Sequence, residues 1–299
     1  MRAGRAKHVW FWAFVGPAVA GLLCFSVWPM LYSLWLSFCH YEVVAPPRFI
    51  GLRNYVYLFR HDAAFWPSVR VTLVFTAIQV PLSILASLAL ALLLHQPVRA
   101  RGWWRAVYFL PSILPQAALA VVFGYIFQAD GGLLNRVLGL AGFAGQAWSS
   151  SPTWALVVLI VMSLWGFGYP MVIFLAGLQN VPRELYEAAH IDGAGAWARF
   201  RHVTLPLISP VLFFNVVMGV IAALKVFDIA YAFGMAQGQP IPGGPARATL
   251  FYGLNLYQQA FGYFHMGLAS AMAWLLFGFI LLLTAVNFRL SRRWVHYAD

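Results

Sequence analysis

Lys225 and Asp228 are opposite charges three residues apart inside an apolar segment. On one helix they share a face and can pair. Charges within a membrane-length segment point to a solute or ion path. Counted from Ile208, however, they fall about 26–30 Å along a helix, near its end. A pair that snorkels to the membrane boundary is the other reading. A second cluster of charge is "ELYEAAHIDGAGAWARFRHVTLPL", Glu184–Leu207, with Glu184, Glu187, Asp192, Arg199 and Arg201. Its residue types suit contact rather than catalysis. Asn180 can cap a helix and Pro182 suits a first turn. Glu184 and Glu187 then lie near the positive helix end. Leu185, Ala188 and Ala189 form a small apolar face, and Asp192-Gly193 signals a turn. A second short helix fits Ala196–Val203. The spacing predicts a helix–turn–helix elbow with a small-residue tip, shaped to enter a groove on another protein. An ordinary amphipathic connection is the plain alternative.

Other chemistry is thin. The eight histidines show no metal-ligand spacing. Cys24 and Cys39, on one helix, stand about 22 Å apart, too far for a disulfide. A P-loop needs Gly-Lys-Ser/Thr, and Lys7 and Lys225, the two lysines, lack that context. No nucleophile or acid–base pair presents itself, so no catalytic, metal or cofactor site is expected.

The elements that carry these residues are apolar. The hydrophobic fraction is 62% and the charged fraction 9%, against roughly 45–50% and 25% in soluble domains. The bilayer is the natural solvent. Six segments can span it: Val9–Phe38, Val71–Leu94, Val107–Phe127, Thr153–Leu178, Ile208–Phe233 and Gly267–Phe288. The first is too long for a signal-peptide core. Internal prolines at 29, 81, 111, 115 and 170 are tolerated in membrane helices. One membrane domain, 1–299, is expected, all α. With the N-terminus inside, twelve basic residues face the cytoplasm and six face out. That favours both termini and the 180–207 elbow inside. The net charge of +11 is thus an orientation signal. The arginines form no single stripe, which argues against nucleic acid.

The stretch "EAAHIDGAGAWARFRHVTLPLISP" resembles the EAA loop of permease subunits of bacterial ATP-binding-cassette (ABC) importers. The matching residues are Glu187, Ala188, Ala189, Asp192, Gly193, Ala194, Phe200, Leu205 and Pro206. "FIGLRNYVYLF", "YFLPSILP", "GYP", "KVFDIAY" and "FGYFHMGLASAMAWLLF" resemble the carbohydrate branch, of the maltose and glycerol-phosphate type. One departure is "MAQGQPI" before Pro242-Gly243-Gly244-Pro245, which leaves the 234–245 loop open. The resemblance implies a six-helix type I importer permease in a bacterial or archaeal cytoplasmic membrane. It implies a second permease subunit in a heterodimer, two ATPase subunits that bind ATP and Mg, and an extracytoplasmic binding protein that delivers a sugar-like solute. It makes the elbow the coupling helix. It also marks Ser112, Gln116, Phe167, Gly168, Met171, Gly219, Ala222 and Ala223 as cavity-lining. Trp165, Tyr169, Asn215 and Asp228 add aromatic and polar character that sugars prefer. Packing through small residues is the plain reading of several of these. The competing function is a transporter or channel driven by an ion gradient, which would need mid-span carboxylates or histidines.

Overall fold

The computed structural model describes residues 2–239 and 243–295, with side chains from Trp10 onward. Its helices are α1 (Arg2–Leu22), α2 (Trp28–Ser37), α3 (Arg53–Arg60), α4 (Phe65–His95), α5 (Arg101–Phe109), α6 (Gln116–Ile126), α7 (Leu133–Leu140), α8 (Pro152–Leu164), α9 (Gly168–Gln179), α10 (Arg183–Ile191), α11 (Ala196–Arg199), α12 (Leu205–Leu207), α13 (Ser209–Leu224), α14 (Asp228–Ala236), α15 (Tyr252–Tyr257) and α16 (Met266–Ser291). A two-residue ribbon, β1 (Cys39–His40) with β2 (Arg48–Phe49), is antiparallel. Three stretches are long and apolar enough to span a membrane unbroken: Trp10–Ser37, Phe65–His95 and Met266–Ser291. Three more reach that length only as bent pairs, giving up to six spans.

The bends correct three of the straight spans that hydropathy predicts. Arg101–Ile113 meets Gln116–Ile126 at 96°. Two prolines cause this. Pro111 sits in a 3-10 turn, Leu110–Ile113, and Leu114 is extended at ψ 138. The residue before a proline is pushed out of the α region, here by Pro115. Pro152–Leu164 and Gly168–Gln179 meet at 45°. At the break the Phe167 carbonyl accepts both the Met171 N–H at 3.1 Å and the Ser87 hydroxyl at 3.0 Å. The fifth segment is not one helix to Phe233. It ends at Leu224, and a new helix starts at Asp228. Asn180 also differs from expectation. It closes α9, while Pro182 is the N-terminal boundary residue of α10 and offers no side-chain cap.

Two prolines are accommodated by π-turns. Leu23–Val27 precedes Pro29, and Phe200–Thr204 precedes Pro206. A proline removes one i→i−4 bond and crowds that carbonyl, and a π-turn absorbs the misfit. In α4, by contrast, Pro81 lies within unbroken helix.

The chain forms two compact units: Met1–Asp62 with Leu256–Gly278, and Ala63–Asn255 with Phe279–Asp299. In the first, the Asn54 amide donates to the carbonyls of Ser37 (2.8 Å) and Cys39 (2.9 Å). That side chain satisfies acceptors left free where α2 ends. Within α1 no described residue is buried. Phe14 is 78% exposed and, beyond α1, Phe25 is 85% exposed, an apolar surface that lipid or another subunit must cover.

The second unit holds two buried clusters. Phe75, Leu159, Phe251 and Leu254 centre one. Met171, Phe174, Leu178 and Ile208 centre the other, and Tyr186, Phe200 and Val203 pack on it. The elbow is therefore anchored to the spans by its own aromatic residues.

Candidate functional site

The second unit encloses an open cavity of about 530 Å³ between α4, α8, α9, α13 and the 111–116 turn. Ser112, Gln116, Gly219, Ala222 and Ala223 line it. So do Gln79 and Ser83 of α4, together with Tyr169, Phe214, Lys225 and Asp228. Gln79 and Ser83 were not singled out by sequence. Their signal is the near-helical spacing of Thr76, Gln79, Ser83 and Ser87 along α4.

Phe167, Gly168 and Met171 are not among the lining residues. Met171 is fully buried in the core. The Phe167 ring lies 6.4 Å from that of Tyr108. Gly168 lies against the backbone of Tyr108 and Phe109, where any side chain would collide. These residues hold α5 against α9 and so set the position of the 111–116 turn beside them. Ala223 is only 4% exposed and sits largely in the core.

Among the lining groups, several hydroxyl and amide hydrogens are directed to local backbone. The Ser112 hydroxyl donates to Phe109 O at 2.6 Å, Ser163 to Leu159 O at 2.8 Å, and the Asn215 amide to Val211 O at 3.0 Å. Gln79, Gln116, Lys225 and Asp228 have no side-chain partner among the described residues. Four unpaired polar groups facing one cavity beside Tyr169 and Phe214 suit a hydroxyl-rich solute.

Lys225 and Asp228 do not form the pair that their spacing permits on a continuous helix. Lys225 terminates α13 and Asp228 opens α14. Each charge therefore complements the dipole of its own helix end. No ion pair joins them. The break puts both charges at the cavity wall.

The elbow is built from α10, a glycine turn and α11. Gly193 has φ +78, and its N–H donates to His190 O at 3.0 Å. The N–H of Ala194 donates to Ala189 O at 2.9 Å. These two bonds form a Schellman motif, which places a left-handed residue just past the helix. A Cβ on Gly193 would meet nothing within 4 Å, so backbone conformation alone demands glycine. The Tyr186 hydroxyl lies 3.0 Å from Thr204 Oγ1 and ties the two arms together. Glu187, Ala188 and Asp192 are exposed, Ala189, Ala194, Leu205 and Pro206 are half-buried, and Phe200 turns inward. Ile191 is 85% exposed and Trp197 70%. An apolar tip of this kind is suited to burial in a partner.

The family model for the "Binding-protein-dependent transport system inner membrane component" matches residues 79–296. The chain belongs to this family. It is an ABC-importer permease subunit, a non-catalytic multi-pass protein of the inner membrane, of the carbohydrate type. This permease is 40% identical to the "Probable ABC transporter permease protein YesP" of Bacillus subtilis, over 99% of this chain and 94% of that one. It is 37% identical to the "Lactose transport system permease protein LacF" of Rhizobium radiobacter, over 84% and 83%. The fold is similar to that of a chain of a bacterial ABC transporter involved in the import of alginate. There the TM-score is 0.82 at 21% identity, over 98% of this permease and 99% of that chain. Among the described residues, no group of three or more His, Cys, Asp or Glu could hold a metal ion.

Proposed function

We propose that this permease carries a sugar or closely related hydroxyl-rich solute, such as an oligosaccharide or glycerol phosphate, through a path of which the 530 Å³ cavity is one wall. The observation that carries the reading is the set of unpaired side chains, Gln79, Gln116, Lys225 and Asp228, facing the cavity beside Tyr169. Relatives named for lactose and for trehalose/maltose transport support the substrate class.

The opposite wall comes from a second, different permease subunit. A binding protein releases solute at the outer face, and two ATPase subunits bind and hydrolyse ATP at the inner face. Both termini and the elbow lie in the cytoplasm, consistent with the arginine asymmetry. Glu187–Pro206 docks in a groove of one ATPase subunit through Ile191 and Trp197. Closure of the ATPases moves the elbow, and its aromatic anchors Tyr186 and Phe200 pass that motion to the core around Met171 and Ile208. The cavity then alternates between outward and inward access.

The test is Ala222→Trp, at an exposed lining position. In proteoliposomes with the partner subunits, uptake should be blocked while ATP hydrolysis persists, because the elbow is untouched. Uptake at the wild-type rate would place the path elsewhere.

A further inference from the structure

The first bent pair contains a feature, α5, that the transport path does not use. If α6 crosses the bilayer, the 96° bend lays α5 along the membrane plane. The two faces of α5 suit that position. Trp103, Val107 and Leu110, spaced i, i+4 and i+7, are exposed, Trp103 at 61%. Arg101 and Arg105, at i and i+4, lie half-buried on another face. The Trp104 ring stacks on Tyr108 at 6.1 Å, leaving the indole 37% exposed. Indoles flanked by arginine are the residues that settle at the headgroup level.

The arginines gather at one place. Arg101, Arg183 and Arg105 are close enough to act electrostatically on His95. Arg99 is exposed in the turn just before α5. Arg101 donates to the carbonyls of Leu94 and His95 and so closes the end of α4. Arg99, Arg105 and Arg183 have no acidic partner among the described residues. The Arg105 Nε is buried without a hydrogen-bond acceptor. Uncompensated positive charge beside an apolar helix face calls for an anion that carries its own hydrocarbon. A phosphodiester headgroup supplies the acceptor oxygens, and its acyl chains cover Trp103 and Leu110.

We infer that the α4–α5 turn, with Arg105 and Arg183 near His95, Arg99 within the turn itself and Trp103 on the exposed face of α5, is a binding site for one anionic phospholipid. It lies on the same side of the chain as the elbow. The lipid headgroup would lie next to Arg183, the first residue of α10, so headgroup occupancy would bear on the base of the elbow.

The whole complex, with its permease and ATPase partners, is stripped of lipid in detergent and offered equimolar phosphatidylglycerol and phosphatidylcholine. Retained lipid is counted by mass spectrometry after gel filtration. Wild type should retain phosphatidylglycerol preferentially. Arg99→Gln/Arg105→Gln/Arg183→Gln should weaken that retention by on the order of tenfold or more. Because Arg105 is half-buried, Arg99→Gln/Arg183→Gln serves if the triple variant fails to assemble, and it should show a smaller loss. Arg289→Gln/Arg292→Gln, the basic pair near the C-terminus, should retain lipid as wild type does. Inorganic phosphate at matched ionic strength should not displace the lipid. No preference in wild type, a preference that the α5 variants keep, or displacement by phosphate alone each overturns the site. Retention is read in detergent, so an inverted topology would leave this result unchanged and would show only in labelling of the elbow.

Discussion

Gly168→Ala adds one methyl group at the crossing of α5 and α9. The new Cβ would stand 2.9 Å from Phe109 Cα and 3.0 Å from the Tyr108 carbonyl carbon, with the Tyr108 oxygen nearer still. Ordinary contact begins at 3.4 Å, and the Tyr108 oxygen sets the demand, so the two segments must separate by about 1 Å. The atoms in the way are backbone and cannot swing aside. Overpacking of this kind costs about 1–3 kcal/mol. The strain should spread along Leu110–Ile113, because that turn continues directly from α5. Ser112 and Gln116 would then leave their places at the cavity wall. The control is Gly166→Ala, whose Cβ would meet only Ser163 O at 3.5 Å. The assay is thermal unfolding of the assembled complex beside solute uptake in proteoliposomes. Gly168→Ala should unfold at a lower temperature and transport more slowly than Gly166→Ala. If the two variants match in both measurements, the close approach is not what holds the turn.

Gly193→Asp should insert and assemble but lose uptake, because a carboxylate at φ +78 strains the Schellman turn and changes the docking tip; normal uptake would refute the docking reading. Gly195→Cys, with nothing within 4 Å of its Cβ, should react in a Cys24- and Cys39-replaced background with an impermeant maleimide only when the cytoplasmic face is open. Labelling of intact cells would invert the topology. Lys225→Gln and Asp228→Asn should each slow uptake, and their effects should add within about 0.5 kcal/mol, since no ion pair couples them. Strong coupling in the double variant would mean that they do pair during transport.

Long-range apolarity made the spans legible, because a bilayer-length segment needs no partner to announce itself. Gly193 was legible too, since Asp-Gly after a helical pattern already specifies the turn. The bends were written in Pro111 and Pro115, but hydropathy averages across them. The break at Lys225–Phe227 has no proline or glycine to mark it, and only the structure separates α13 from α14. Gly168 was read as cavity-lining, and its packing role could not be read from the sequence. Its neighbour, the backbone of Tyr108, lies sixty residues earlier, and nothing local records that approach. Gln79 and Ser83 left a polar spacing in α4, but that face acquires meaning only once α4 stands opposite α13.

The π-turn at Phe200–Thr204 holds one residue more than an α-turn would. The heading of the elbow is therefore set by a residue count, independent of which side chains fill the turn. Deleting a single residue there would restore the α register and rotate Trp197 by about 100° around the helix axis relative to Leu205–Leu207. Every contact residue would survive such a deletion, yet the tip would present a different azimuth to whatever receives it. Length variation in that turn is thus a means of retargeting the elbow to a differently placed groove, one that point substitution cannot reach.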